Sequence, residues 1–133
     1  MTTLDSIEPI VAIDELRVEF ETDGGTVVAV EDVSFSISPG QTVCVVGESG
    51  SGKSVTSLSL MRLVEFGGGT ITGGSLRFTR QDGEKIDLTK ASMTQMQAIR
   101  GNEIGMIFQE PMTSLNPVLT IGRQLTEALE LHL

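Results

Sequence analysis

The chain has 133 residues, 39% of them hydrophobic, and a formal charge of −9; this suits one packed domain or part of one and excludes a disordered tail. No run approaches the ~20 apolar residues of a membrane span, and Asp5, Glu8, Asp14 and Glu15 near the start predict no secretory leader. The acidic balance argues against nucleic acid or anionic lipid as the main ligand.

Leu16, Val18 and Phe20 alternate with charged residues, which predicts a half-buried strand ending near Glu21. Asp23-Gly24-Gly25 is a turn signal, and Thr26 to Val30 resumes an extended pattern, so a hairpin is expected. Asp32 to Ile37 puts Val33, Phe35 and Ile37 on one face of a third strand, broken by Pro39-Gly40. Thr42 to Val46 is short and β-branched and predicts a buried strand. Cys44 lies in it as the only cysteine, which excludes an internal disulfide and assigns the thiol to the core.

Gly47-Glu48-Ser49-Gly50-Ser51-Gly52-Lys53-Ser54 then matches G-x-x-x-x-G-K-[ST] at every fixed position. The run Val55 to Val64 after it predicts a helix, so the loop sits between a strand and a helix. Gly47, Gly50 and Gly52 permit backbone angles that turn successive N–H groups inward, forming a nest for anionic oxygens. The helix N-terminus adds about half a positive charge. Lys53 supplies a full charge for β- and γ-phosphates, and the Ser54 hydroxyl is suited to ligate Mg2+. An ordinary Gly/Ser turn would leave Lys53 unexplained.

Gly67-Gly68-Gly69 and Gly73-Gly74 bracket what reads as a flexible connection. Ser75 to Thr79 and Lys85 to Leu88 flank Asp82-Gly83, a second hairpin signal. Ser92 is placed to cap a short helix carrying Met93, Met96 and Ile99, closed by Gly101, with the methionines as packing. Ile104 to Phe108 reads as a compact apolar strand that delivers Gln109 to its edge before Glu110-Pro111 stops it. On the residues alone, Gln109 is either a polar strand exit or a group within reach of Mg2+ or an attacking water. Thr120 is placed to cap a last helix with Ile121, Leu125, Ala128 and Leu129 on one face. His132, the only histidine, receives no catalytic role. The expected class is α/β, with an antiparallel β layer (about 14–40 and 75–90) joined to a P-loop core (about 41–66 and 101–133).

Three stretches together resemble the ATP-binding subunits of ABC transporters, most closely the peptide-importer group serving dipeptides, oligopeptides, nickel and glutathione. They are Ala29 to Phe35, Gly47 to Thr56 and Phe108 to Pro117, the last similar to the family's glutamine loop. The resemblance covers most of the chain from about Leu16 onward. It implies that Gly50 to Val55 wrap the phosphates of ATP, that Lys53 pairs with the β- and γ-phosphates, and that Ser54 and Gln109 ligate Mg2+, with Gln109 as the catalytic-site residue. Gly47, Glu48, Ser49 and Ser51 complete the binding loop. Val55 departs from the threonine common in the family and leaves only its N–H for the α-phosphate. An aromatic residue near the end of the first strand stacks on adenine in this family. Phe20 is the candidate; Val28 or Val30 lining the base pocket, with Phe20 in the core, is the alternative.

The resemblance also implies partners: transmembrane permease subunits, a second ATP-binding domain, and indirectly a solute-binding protein, with no nucleic acid. The setting is the cytoplasmic face of the membrane, as a peripheral subunit. The family's Leu-Ser-Gly-Gly-Gln signature, second acidic strand and switch His do not occur before Leu133. The chain therefore reads as an N-terminal portion, expected to turn over ATP negligibly alone and to leave Val43, Val45, Ile104, Met106 and Ile107 uncovered. A non-hydrolytic nucleotide-binding or regulatory fragment is the alternative reading. A soluble ABC-type ATPase of DNA repair or translation is disfavoured by the acidic balance.

Overall fold

The computed structural model describes residues 8–48, 50, 52–108 and 116–132, and the chain divides into two compact units, residues 1–91 and 92–133. In the first unit, β1 (Val11–Thr22) and β2 (Gly25–Ile37) form an antiparallel hairpin. Thr22 Oγ1 donates to Gly25 O at 2.7 Å, and Gly25 takes φ 112°. β3 (Gly69–Thr79) pairs with the other edge of β1, and β4 (Lys85–Asp87) with β3, giving the antiparallel order β2-β1-β3-β4. The Asp82-Gly83 turn between β3 and β4 is held by Asp82 Oδ1, which accepts from Glu84 N at 2.8 Å.

The pieces expected at 26–30 and 32–37 are one strand, kinked at Asp32 with φ 52°. Two more left-handed residues lie at the same level on the adjacent strands, Glu15 on β1 (φ 48°) and Gly74 on β3 (φ 84°). The pairing register shifts around them on both sides of β1, with an extra residue on β1 near Glu15, on β2 between Val30 and Val33 and on β3 between Ile71 and Gly73. An extra residue reverses which side chains face inward. On β1 the buried set passes from Val11 and Ile13 to Leu16 and Val18 across the bulge. On β2, Ile37, Phe35 and Val33 share a face up to the kink, after which Val30 takes over. Because all three strands switch together, the apolar side chains stay on one face across the kinks. That face, with Leu76, Phe78, Val64 and Leu88, is the core of this unit.

The glycines read as a flexible link are built into regular structure instead: Gly67 ends a 3-10 turn that Gly68 caps, and Gly69, Gly73 and Gly74 belong to β3. A Cβ on Gly69 would lie 2.8 Å from Phe20 Cζ, and one on Gly74 would lie 2.4 Å from both Asp14 O and Glu15 O. Main chain approaches closely at Gly74, and the Phe20 ring and Val64 Cγ2 occupy the space a Cβ would take at Gly69.

α1 (Lys53–Leu60) is shorter than the 55–64 expected, and a 3-10 turn over Val64–Gly67 follows it. In the second unit, α2 (Met93–Ile99) begins with a capping box: Ser92 Oγ accepts from Gln95 N at 3.1 Å, and Gln95 Oε1 accepts from Ser92 N at 2.9 Å. α3 (Ile121–His132) follows Thr120, whose Oγ1 accepts from Arg123 N at 3.2 Å.

Two expected strands do not form. Residues 42–46 and 105–108 are irregular, and position 104 makes only an isolated bridge with Arg100. A strand is defined by a neighbour that takes its N–H and C=O groups, and among the described residues no ladder pairs with either run. Cys44 is consequently exposed and not in the core. Val45 and Ile107 are exposed too, at 49% and 96%.

Candidate phosphate-binding site

The loop before α1 is built on left-handed glycines. Gly50 has φ 85°, and Gly52, the residue that caps α1, has φ 91°. Gly52 is also wedged against β2: a Cβ there would lie 2.8 Å from Ala29 O and 3.2 Å from Val30 Cγ2. Both the torsion and the space therefore require glycine. The Gly52 carbonyl accepts from Thr56 N at 2.9 Å and from Thr56 Oγ1 at 2.8 Å, which fixes the first turn of the helix. The first N–H groups of any helix lack an intrahelical acceptor and point out of its N-terminus.

Lys53 folds back over the loop. Its Nζ donates to Gly47 O, and to Glu48 O at 3.0 Å. The ammonium is thus held against the main chain at the start of the loop. Gly47, Glu48, Gly50 and Ser54 are exposed, and Gly52, Lys53 and Val55 are half-buried. Ser49 and Ser51 lie outside the described residues, as does the glutamine-loop segment from Gln109 to Leu115. The geometry fits an oxyanion: glycine where a Cβ would strike Ala29 O, an exposed hydroxyl at Ser54, and a cation held by carbonyls.

Phe20 is half-buried at the end of β1, paired with Val27 and Gly69. Its ring edge lies over Gly69, at a point also approached by Val64 Cγ2. Val30 is buried at 3% exposure beneath Gly52, whereas Val28 is 39% exposed. Elsewhere on the sheet, Arg77, Lys85 and Glu8 line a hollow of about 170 Å³. Its cations are already paired, Arg77 Nη2 with Asp14 Oδ2 at 3.0 Å and Lys85 with Glu8. Arg17 likewise bridges Glu19 at 3.3 Å and Glu31 at 3.1 Å.

One residue at the rear of the loop's helix escaped the sequence reading. Arg62, just beyond α1, is the lone cation in the run 55–64, and its side chain is largely buried. A charge set among apolar residues at a helix exit was the available signal.

A sequence profile of the ABC transporter family matches residues 30–131. The chain is 53% identical over 127 residues to the "Putative peptide import ATP-binding protein" of Brucella abortus (strain 2308), a match covering 96% of this chain and 38% of that protein. It is 51% identical over 123 residues to the glutathione import ATP-binding protein GsiA of Pectobacterium atrosepticum, covering 92% of this chain and 20% of the relative. GsiA of Shigella dysenteriae is 47% identical over the same share of each. The chain thus spans well under half the length of these curated relatives.

Proposed function

The chain belongs to the ABC transporter family, and from that premise we propose that it binds ATP through residues 47–55 as the nucleotide-binding part of a subunit that powers import of peptides or related small solutes. The observation that carries the reading is the loop itself, with left-handed Gly52 seated on Ala29 O and the Lys53 ammonium turned over the loop. Names of relatives that specify peptide and glutathione import support the substrate class. The antiparallel sheet is the β layer of this reading, and 41–66 with 101–133 is its P-loop core.

The roles follow from the side chains. Main-chain N–H groups of Gly50 to Val55 and the start of α1 orient the phosphates. Lys53 exchanges its carbonyl partners for β- and γ-phosphate oxygens and stabilises their charge. Mg2+, where bound, would be held by Ser54 and Gln109 and would supply neutralisation of the phosphate charge. Gln109 is the catalytic-site member. Phe20 is the adenine platform. Permease subunits and a second ATP-binding domain are the partners, at the cytoplasmic face of the membrane. No helix among the described residues is long and apolar enough to cross a membrane. The 133 residues, which contain no signature sequence, bind without measurable phosphate release.

The test is calorimetric titration with Mg-ATP of the chain and of Lys53→Ala. Loss of charge-assisted hydrogen bonds weakens binding by about 1.5–3 kcal/mol, roughly ten- to a hundredfold. Equal affinity of the two proteins overturns the assignment.

A further inference from the structure

Within α1 the apolar residues Val55, Leu58 and Leu60 are only half-buried, although Met61 and Val64 just beyond it are buried. The buried residues of α1 are Thr56 and Ser59, and both hydroxyls turn back on the helix itself, to Gly52 O at 2.8 Å and Val55 O at 2.7 Å. Neither reaches across to another element. The front of the helix is seated by Gly52 on β2. A short helix held at one end pivots unless its other end is also fixed.

Arg62 adds a polar tie at that end, beside the buried Met61 and Val64. It stands one residue past the cap Met61 with φ 54°, a conformation that glycine takes freely and L side chains resist. The guanidinium then spreads over three acceptors. Nε donates to Glu65 Oε1 at 2.6 Å, and Nη1 donates to Ala91 O at 2.6 Å and Leu88 O at 3.2 Å. Leu88 opens the 3-10 turn that follows β4, and Ala91 closes it. One side chain, 14% exposed, therefore ties the exit of α1 to the far edge of the sheet. Carbonyl acceptors at two points suit a planar fork and not a point charge.

We propose that Arg62 is a positioning residue for the phosphate loop: by clamping the rear of α1 to Leu88 and Ala91, it holds Lys53 and Ser54, about 12 Å away along the helix, in place for a nucleotide's phosphates. The inference rests on the reading of residues 47–55 as a nucleotide loop. It gives a reason for an arginine where the backbone favours glycine.

Arg62→Gly removes the fork while suiting the left-handed backbone, and Arg62→Lys keeps the charge without the fork. The expected results in Arg62→Gly are about tenfold weaker Mg-ATP binding by calorimetry, a melting midpoint of the nucleotide-free chain within about 2 °C of wild type, and faster hydrogen exchange across Lys53 to Leu60. Arg62→Lys recovers part of the affinity. A fall in melting midpoint with Mg-ATP affinity unchanged marks a merely architectural arginine and overturns the proposal. Should the wild-type chain bind no Mg-ATP, the nucleotide reading fails by itself, and the exchange measurement decides the clamp: unchanged protection of α1 in Arg62→Gly sinks it, and faster exchange sustains it.

Discussion

An alanine at position 74 would put its methyl carbon 2.4 Å from two carbonyl oxygens, those of Asp14 and Glu15, at a φ of 84°. The torsion alone costs about 1–2 kcal/mol, and the overlap with main chain adds about as much again. Gly74→Ala should therefore lose about 2–4 kcal/mol in urea unfolding, whereas alanine at Gly83, where a Cβ meets nothing within 4 Å, carries only the torsional part. Titration supplies a second residue-scale expectation. The Thr72 hydroxyl, and after it the Arg17 guanidinium, hold the Glu19 carboxyl below the usual carboxylate range. Arg17 is in turn pushed further up, mainly by its hydrogen bond to Glu19, and stays charged. A carboxyl that is more acidic when folded adds stability above its unfolded value, about 4.3, and loses it as pH falls through the folded one. Glu19→Gln should flatten the acid limb of stability against pH below about 4.3 and leave the neutral region parallel to wild type, as followed by thermal unfolding across pH.

At the scale of elements, α2 shows how a local signal fixes a boundary. Ser92 and Gln95 close a reciprocal cap, so Ser92→Ala should cost about 1 kcal/mol of helix stability, read as faster exchange of the Met93 to Met96 amides. Such short-range chemistry was legible in the sequence: Ser92, Thr120, the Asp82-Gly83 turn and the end of β1 all stand where their residues indicate. What escaped was long-range. Asp32 and Gly74 break alternation as a strand end or a linker would, and only their alignment with Glu15 reveals a continuous sheet. The runs 42–46 and 104–108 have strand-like composition, yet composition cannot supply a neighbour to pair with. The loop motif was legible because its demands lie within eight consecutive residues, whereas Arg62 acts on carbonyls at positions 88 and 91 and is marked locally only as a lone charge among apolar residues.

For the molecule as a whole, two properties oppose each other. A formal charge of −9 favours dispersal. Val46, Ile107 and Phe108 are exposed at 89%, 96% and 51%, and Ile121, Leu125 and Leu129 of α3 are exposed as well; such surface favours association. Charge repulsion is screened by salt, with a Debye length near 10 Å at 0.1 M and about 3 Å at 1 M, while apolar attraction is not. The chain should therefore bind a hydrophobic dye and sediment as larger species as salt is raised. A constant monomer mass from low to molar salt, with no dye fluorescence, contradicts this.

The three aligned bulges have a mechanical corollary. Each left-handed kink is a detent, and the detents of β1, β2 and β3 mesh at one crossing line. To slide any of these strands by a single residue, a passing kink must climb over its neighbours, and every apolar side chain beyond the line turns to water at the same moment. The meshed line thus sets a single register for all three strands at once.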